Sequence, residues 1–305
     1  MAHAALCSPF LSSPHSLLQR NPNPLLGLCS HTPHPPLCRR AISLTTTAML
    51  SSTKEVVLRD FYRRKALKII SGLLNFDRKN VAAVVTAADK GGATHVDIAC
   101  DPELVKLALS ITSLPICVSS VDPEAFLAAV EAGAQMVEIG NYDSFYEMGR
   151  LFSPEQILKL TKDTKRILPS VVLSVTVPHT LSLPDQVKLA ELLEKEGADV
   201  IQTEGGKCSN PSKPGVLGLM EKASPTLAAA YSISRAINIP VMCSSGLSAV
   251  TAPMALTAGA AGVGVGSAVN KLNDVIAMIA EVRSIADSLD MSNIYPVEEV
   301  KSIQL

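Results

Sequence analysis

Three absences limit what this chain of 305 residues can be. No apolar run approaches the roughly twenty residues that span a bilayer, so we expect no membrane partner. Lysine and arginine form no cluster, so we expect no nucleic acid partner. The seven cysteines form no CxxC pair and no ligand-like spacing, which argues against a zinc site or a disulfide framework.

Acidic residues are missing from the first part of the chain. No aspartate or glutamate precedes Glu55, and residues 1–53 are rich in serine, threonine and proline. The basic residues in this stretch are Arg20, Arg39 and Arg40. This composition predicts a disordered transit peptide over residues 1–50, cleaved within residues 41–52. The lack of regularly spaced arginines favours the plastid over the mitochondrion. A disordered tail with no targeting role is the alternative.

The remainder of the chain contains a repeat. Four segments open with Gly-Ala and run into a strand-like stretch, and they begin at Gly92, Gly133, Gly197 and Gly259. Glycine suits the left-handed residue that ends a helix, so each Gly-Ala predicts a turn from helix into strand. Three further segments open with Leu-Pro or Ile-Pro, and they begin at Leu114, Leu168 and Ile239. The two sets alternate, and a first strand from Lys68 brings the number of strands to eight.

Helical patterns fill the gaps between these strands. Several start with a capping residue followed by proline, and these pairs are Asp101-Pro102, Asp122-Pro123, Ser153-Pro154 and Ser224-Pro225. Eight strand–helix units predict an α/β fold, a single (β/α)8 barrel of the TIM type over residues 54–290. We expect a leading helix over residues 54–67, a last helix from Asn273 to Leu289 and a polar tail over residues 291–305. An open doubly wound sheet is the alternative.

The strand faces carry the chemistry. Side chains alternate along a strand, so Asp97, Glu138, Gln202 and Gly264, each five residues beyond its Gly-Ala glycine, should share one interior layer. Glu204 follows two residues later and should lie nearer the mouth. Buried carboxylates cost several kcal/mol unless they are paired or hydrogen-bonded, so this layer predicts the floor of an active site. A polar layer that only sets the strand register is the alternative.

Close carboxylates raise one another's pKa, which provides an acid and a base near neutral pH. The candidate catalytic residues are Glu204, Glu138, Asp97, Gln202, Thr176, His179 and Lys68. We expect the carboxylates to handle protons and Thr176, Gln202 or His179 to orient substrate. Lys68 would form a Schiff base, pair with Asp97 or Glu138, or face solvent. A metal ion is not favoured, because barrel metal sites usually contain more histidine.

Two loops are unusual. The segment NYDSFYEMGRLF after the fourth strand concentrates aromatic residues in a chain that has few. The loop over residues 205–223, after the sixth strand, has the length of a lid, a binding loop or a disordered segment. Lys207 and Lys213 in this loop would meet an anion or simply face solvent.

The segment AGVGVGSAVN places Gly262, Gly264 and Gly266 inside the predicted eighth strand. A dinucleotide fingerprint needs its glycines between a strand and a helix, and a further strand after them, so we reject it. Phosphate sites in barrels often form from the loops after strands seven and eight. The candidate phosphate-binding residues are Ser245, Gly246, Gly264, Gly266 and Ser267. On this interpretation the glycines form the open side of a polar mouth, and tight packing without a ligand is the alternative.

Several ordered segments, among them KIISGLLNFD, GGATHVDIACDPELVK, VEIGNYDSFYEMG and IQTEGG, are similar to those of one family. They resemble the hypothetical chloroplast reading frame twenty-three (Ycf) family, from about Lys65 to Ala286. The resemblance implies an aldolase-type TIM barrel in the chloroplast, and it supplies no reaction.

These features together predict a protein of the chloroplast stroma. The leading hypothesis is an enzyme of the lyase, isomerase or synthase type that acts on a small phosphorylated metabolite. One alternative is a non-catalytic, ligand-binding or regulatory barrel. Another is a flavin-binding oxidoreductase, in which the phosphate of FMN would occupy the same site. The sequence leaves the cofactor unknown and a homo-oligomer open.

Overall fold

The computed structural model describes residues 54–206 and 211–291, all of which fall in one compact unit. The described chain forms a closed barrel of eight parallel strands that follow one another in sequence order. The predicted (β/α)8 barrel is confirmed. The predicted transit peptide over residues 1–50 and the polar tail from residue 292 lie outside the described residues.

The strands are short and regular. They are β1 Ala66–Ile70, β2 His95–Ala99, β3 Ile116–Ser120, β4 Met136–Ile139, β5 Val172–Val177, β6 Val200–Thr203, β7 Val241–Ser244 and β8 Gly262–Val265. The helices are α1 54–62, α2 Arg78–Gly91, α3 Pro102–Ile111, α4 Ala125–Glu131, α5 Asp143–Glu147, α6 Pro154–Ile167, α7 Leu183–Lys195, α8 Gly215–Ile233, α9 Ala252–Thr257, α10 Ser267–Asn270 and α11 Val275–Met291.

Local sequence explains most of these boundaries. All four glycines of the Gly-Ala segments have a left-handed backbone, with φ between 90° at Gly92 and 117° at Gly133. The side chain of Asp101 accepts hydrogen bonds from the backbone N–H groups of Glu103 and Leu104 at the start of α3. Ser153 forms a capping box with Gln156 at the start of α6.

Some predicted boundaries are wrong. The leading helix ends at residue 62 instead of 67, because Ala66 already pairs with Gly262 of β8. Helix α4 begins at Ala125 without a side-chain cap, since Asp122 caps only a preceding turn. The final helix spans Val275–Met291, and the short α10 precedes it.

The largest error concerns Ser224-Pro225, which does not start a helix. Helix α8 runs through Pro225, and the loop after β6 therefore ends at Pro214. Proline removes one backbone donor from a helix. The buried face nevertheless continues past it, from Ala223 before the proline to Thr226 after it, so tertiary packing keeps the helix continuous.

The lower, N-terminal end of the barrel is filled with hydrocarbon. The buried cluster there comprises Val57, Leu58, Phe61, Ala66, Cys117, Met136, Val172, Val200, Met242 and Ala261. Helix α1 supplies the first three and so closes this end. His95 packs against Phe61, with ring centroids 5.0 Å apart, and its Nε2 lies 2.8 Å from the Val57 carbonyl oxygen. Burial lowers the pKa of His95 to about 4, so its ring is neutral and structural.

Candidate functional site

A cavity of about 810 Å³ opens at the carboxyl ends of the strands. Its walls come from the ends of β1 and of β4 to β8, and from α5, α8, α10 and α11. This is the end of a (β/α)8 barrel where active sites are found. We therefore take it as the candidate functional site.

Below this cavity lies the predicted polar layer. Lys68 of β1 donates a hydrogen bond to Glu138 of β4, and both side chains are fully buried. The Gln202 Nε2 donates to Glu138 Oε1 at 2.6 Å, and the Thr176 hydroxyl lies 3.4 Å from the same oxygen. A Cβ atom at Gly140 would meet Thr176 Oγ1 at 2.1 Å, so only glycine there leaves room for this arrangement.

Asp97 of β2 sits in the same interior with different partners. Its Oδ1 accepts from the Ser119 hydroxyl at 2.6 Å, and its Oδ2 accepts from Asn141 Nδ2 at 2.8 Å. Burial raises the pKa of Asp97 to about 7, and the charge of Glu138 adds to this while Lys68 opposes it. Asp97 therefore titrates near neutral pH.

The ionisation of Lys68 decides between its alternatives. Burial alone would lower the pKa of Lys68, but the charges of Glu138, Cys117 and Asp97 raise it above its ordinary value. A Schiff base requires the neutral amine. The geometry thus favours the ion-pair alternative, with Glu138 as the partner.

Glu204 lies nearer the mouth, directly after β6. One of its oxygens, Oε1, accepts from the Tyr146 hydroxyl at 2.5 Å and from the His179 backbone N–H at 3.0 Å. The His179 Nδ1 also lies 3.0 Å from this oxygen. The hydrogen bond to Glu204 raises the pKa of His179, and burial opposes the shift. Burial first, and Glu204 next, raise the pKa of Tyr146, so its hydroxyl remains a neutral donor.

The three carboxylates lie at different depths. Among the described residues that line the cavity, Glu204 is present, whereas Asp97 and Glu138 are not. Gln202, Thr176 and Asn141 do line it, and these three side chains contact the two deeper carboxylates. The predicted residues are therefore brought together, but Asp97, Glu138 and Lys68 contact the cavity through other side chains.

A neighbouring wall of the cavity consists of the end of β8 and the loops after β7 and β8, since β7 pairs with β6. All five predicted phosphate-binding residues line it, namely Ser245, Gly246, Gly264, Gly266 and Ser267. Ser245 has φ 82°, a left-handed conformation that costs a non-glycine residue about 1–3 kcal/mol and that clusters at binding sites. At Gly246 a Cβ atom would approach the backbone oxygen of Lys222 to 2.5 Å, so glycine lets this loop meet α8.

Lys222 is a cation of this wall that the sequence did not single out. It lies on α8 and lines the cavity. Lys213, which was predicted as one alternative to meet an anion, is exposed and is not among the lining residues of the described chain. Lys207 lies outside the described residues.

The interpretation of the strand glycines as an open side needs correction. A Cβ atom at Gly264 would meet Ser244 Oγ at 2.0 Å and Ile70 Cδ1 at 3.1 Å, so neighbouring side chains already fill this space. At Gly266 the nearest such atom is the Ile70 carbonyl oxygen at 3.4 Å, which leaves room. Barrel closure brings β7 and β1 against β8, and a single strand pattern does not reveal that crowding.

Sequence reasoning missed several further polar side chains of the site. These include Ser119, Asn141, Tyr146, Lys222, Ser244 and Asn270. For two of these residues, Asn141 and Tyr146, the sequence contained a feature that could have identified them. Asn141 lies two residues beyond the end of β4, has φ 60° and belongs to a residue type that tolerates this conformation. Tyr146 lies in the aromatic segment whose concentration was evident.

Within residues 54–206 and 211–291, no three histidine, cysteine, aspartate or glutamate side chains group as a metal site would require. In the same residues, no helix has the length and apolar character needed to cross a membrane.

The closed parallel barrel defines the class as an aldolase-type TIM barrel, and solved structures agree. The chain superposes on (S)-3-O-geranylgeranylglyceryl phosphate synthase from Thermoplasma acidophilum with a TM-score of 0.53 and 13% identity, covering 79% of this chain and 98% of that one. It superposes on "QR15, an Aldolase" with a TM-score of 0.52 and 23% identity, covering 76% and 97%. At these identities the likeness shows the fold.

The chain belongs to the family described as "Protein of unknown function (DUF561)", which matches residues 50–295. Its relatives include "Uncharacterized protein ycf23" of Cyanophora paradoxa, 40% identical over 233 residues that cover 76% of this chain and 96% of the relative. The protein of the same description from Pyropia yezoensis is 37% identical over 231 residues, covering 76% and 85%. The predicted resemblance to the Ycf family is confirmed, and the family is one of plastid proteins.

Proposed function

We propose that this protein is an enzyme of the chloroplast stroma that moves a proton on a small phosphorylated metabolite, in a lyase, isomerase or synthase reaction. The observation that carries the proposal is that one cavity holds both the Glu204 carboxylate and the loops after β7 and β8. The acid-free leader would direct import into the organelle.

Glu204 is the residue that we assign to proton transfer, because it lines the cavity. Hydrogen bonds from the Tyr146 hydroxyl and the His179 backbone N–H to its Oε1 fix its orientation. His179, whose pKa is raised, and the neutral Tyr146 act as positioning residues. Asp97 and Glu138 act indirectly. They accept hydrogen bonds from Asn141 and Gln202, and these two side chains line the cavity.

The phosphate would bind at the wall that the loops after β7 and β8 form. Small residues let backbone N–H groups approach an anion, and the hydroxyls of Ser245 and Ser267 with the Lys222 ammonium would complete the site. The thiamine phosphate pyrophosphorylase from Pyrococcus furiosus and the Thermoplasma synthase share the fold and carry phosphate compounds in their names. This support is an analogy between folds, and it concerns only the class of ligand, not the reaction.

The proton-transfer half can be tested before the reaction is known. Phosphorylated aldoses and ketoses are incubated with the full-length chain in D2O, and deuterium incorporation at carbon is followed by NMR. Glu204→Gln should lower the exchange rate by roughly 10²-fold or more. Glu131→Gln, an exposed position at the end of α4, is the matched control. Exchange that survives Glu204→Gln unchanged excludes this role.

The phosphate half is tested by calorimetric titration with inorganic phosphate. Lys222→Met should weaken binding by about tenfold, as for the loss of one charge-assisted contact. Lys213→Met removes a lysine that does not line the cavity and should have no effect. Equal effects of the two substitutions would refute a phosphate site at this wall.

The same experiments separate the alternatives. Binding of phosphate esters without exchange on any of them would favour a regulatory barrel. A purified protein with visible absorption and bound FMN would favour a flavin oxidoreductase.

A further inference from the structure

Three oxygen atoms of cavity-lining residues have no hydrogen-bond partner in the described part of the chain. They are Gln202 Oε1, Ser244 Oγ and Asn270 Oδ1. The side chains of Gln202 and Ser244 are 1% and 5% exposed. Buried polar atoms in native proteins are nearly always paired, so an unpaired group calls for an explanation. All three oxygens belong to residues that line one cavity, so we take a ligand bound there as their missing partner.

The orientation of both amides is set by their other contacts. The Gln202 Nε2 donates to Glu138 Oε1 at 2.6 Å and to Thr176 Oγ1 at 3.1 Å. A carboxylate only accepts, so reversing this amide would place two acceptors against each other. The Asn270 Nδ2 donates to the carbonyl oxygens of Ile70 at 2.8 Å and Ser71 at 3.2 Å, which settles its orientation in the same way.

The two amide oxygens can therefore only accept hydrogen bonds. The Ser244 hydroxyl can donate and accept, and the Glu204 carboxylate adds further acceptors to the same cavity. A ligand with donors would satisfy these atoms. An alkyl chain on the ligand would leave the three oxygens unpaired. A carboxylate on the ligand would face the two amide oxygens, which can only accept hydrogen bonds.

We propose that the ligand is a polyhydroxylated phosphate ester, whose hydroxyl groups donate to Gln202 and Asn270 and exchange hydrogen bonds with Ser244. The inference rests on the proposed function, because the phosphate is what places the ligand in the cavity. Sites built to hydrogen-bond a substrate hydroxyl discriminate strongly against analogues that lack it.

Two matched pairs of esters test the proposal by calorimetry on the full-length chain. They are glycerol phosphate with propyl phosphate, and ribitol phosphate with pentyl phosphate. The hydroxylated member of at least one pair should bind at least about tenfold more tightly than its alkyl partner. Equal affinities within both pairs overturn the proposal and leave the phosphate site standing. No binding of any ester or of inorganic phosphate refutes the proposed phosphate site itself, and this proposal with it.

Two serines provide a matched pair of variants. Ser244→Ala removes an unpaired hydroxyl that lines the cavity, and it should lower the preference for the hydroxylated ester at least about threefold. Ser174→Ala removes a buried hydroxyl that also lacks a partner among the described residues, but at a position outside the cavity lining. It should leave the preference unchanged. A preference that Ser244→Ala does not alter, or that both variants reduce equally, contradicts the proposal.

Gln202→Met provides a second test of the preference for the hydroxylated ester, and this test does not depend on Ser244. It removes the unpaired Oε1 together with the Nε2 that donates to Glu138 and Thr176, and it keeps the approximate shape of the side chain. The preference for the hydroxylated ester should fall, while the affinity for inorganic phosphate should stay within about twofold of the original. If the preference for the hydroxylated ester and the affinity for inorganic phosphate fall to the same degree, the inference is contradicted.

Discussion

The two ends of the barrel interior are built from the same strands and have opposite chemistry. At the lower end Met136 and Val200 pack against α1 in a cluster of hydrocarbon. Two residues further along the same strands, Glu138 and Gln202 form a buried hydrogen-bonded pair. Because side chains alternate along a strand, residues two positions apart both point into the barrel and form successive layers. The lower layer of hydrocarbon stabilises the barrel, whereas the polar layer above it buries charge beneath the cavity at a cost in stability.

The largest effect should come from breaking the ion pair of the polar layer. Lys68→Met leaves Glu138 buried without its cation, which should lower the free energy of unfolding by about 3–5 kcal/mol. Urea denaturation at pH 7 measures this. The double variant Lys68→Met with Glu138→Met should recover much of the loss, because no uncompensated charge remains. A double variant less stable than either single one would show that the pair stabilises the fold.

A cavity at the lower end should have a somewhat smaller effect on stability and none on ligand affinity. Met136→Ala removes a fully buried side chain and should cost about 2–4 kcal/mol. Met148→Ala, at a position 64% exposed, is the control and should stay within about 0.5 kcal/mol. Urea denaturation and titration with inorganic phosphate give the two readouts. A large loss of phosphate affinity in Met136→Ala would contradict the division between the two ends.

The smallest effect, taken per unit of pH, concerns the pH dependence of the polar layer that contains Asp97. Asp97 keeps its proton up to about pH 7 in the native protein, whereas the unfolded chain loses it near pH 4. Between these values the unfolded state binds fewer protons. The unfolding free energy should therefore fall as pH rises, by at most about 1.4 kcal/mol per unit.

Asp97→Asn removes this titration, so the stability of the original protein relative to the variant should decline from pH 4 to 7 and then level off. Lys68 and Glu138 act on Asp97 through their charges, and Ser119 and Cys117 act on it through hydrogen bonds. Urea denaturation at several pH values measures the difference. Parallel curves for the two proteins would show that Asp97 is not perturbed as described.

Much of the fold could be predicted because its signals are local. The glycines of Gly-Ala turns take the left-handed conformation at helix ends, and they mark where each of four strands begins. Counting five residues on from Gly133 and Gly197 leads to Glu138 and Gln202, which do contact each other. Pro225 shows the limit of such signals, since packing on both sides of it overrode a local breaker.

The sequence predicted which residues belong to the candidate site, and it did not predict how far each of them lies from the cavity. Alternation along a strand tells which residues face inward, and it carries no distance across the barrel. The sequence left open whether Lys68 pairs with Asp97, pairs with Glu138 or takes another role, and the structure pairs it with Glu138. Nothing local indicated that Tyr146 reaches Glu204. Lys222 was missed because the helix on which it lies was expected to be a loop.

The sequence by itself determined the eight strand–helix units, the polar layer of the barrel and the family of the protein. These properties follow from periodicity, turn chemistry and ordered motifs, all of which are read along the chain. The tertiary structure alone decided that Glu204 meets the cavity while Asp97 and Glu138 lie beneath it. It also decided that Ser244 fills the space beside Gly264. Depth and contact across a closed barrel depend on strand tilt and stagger, which arise only when all eight strands close.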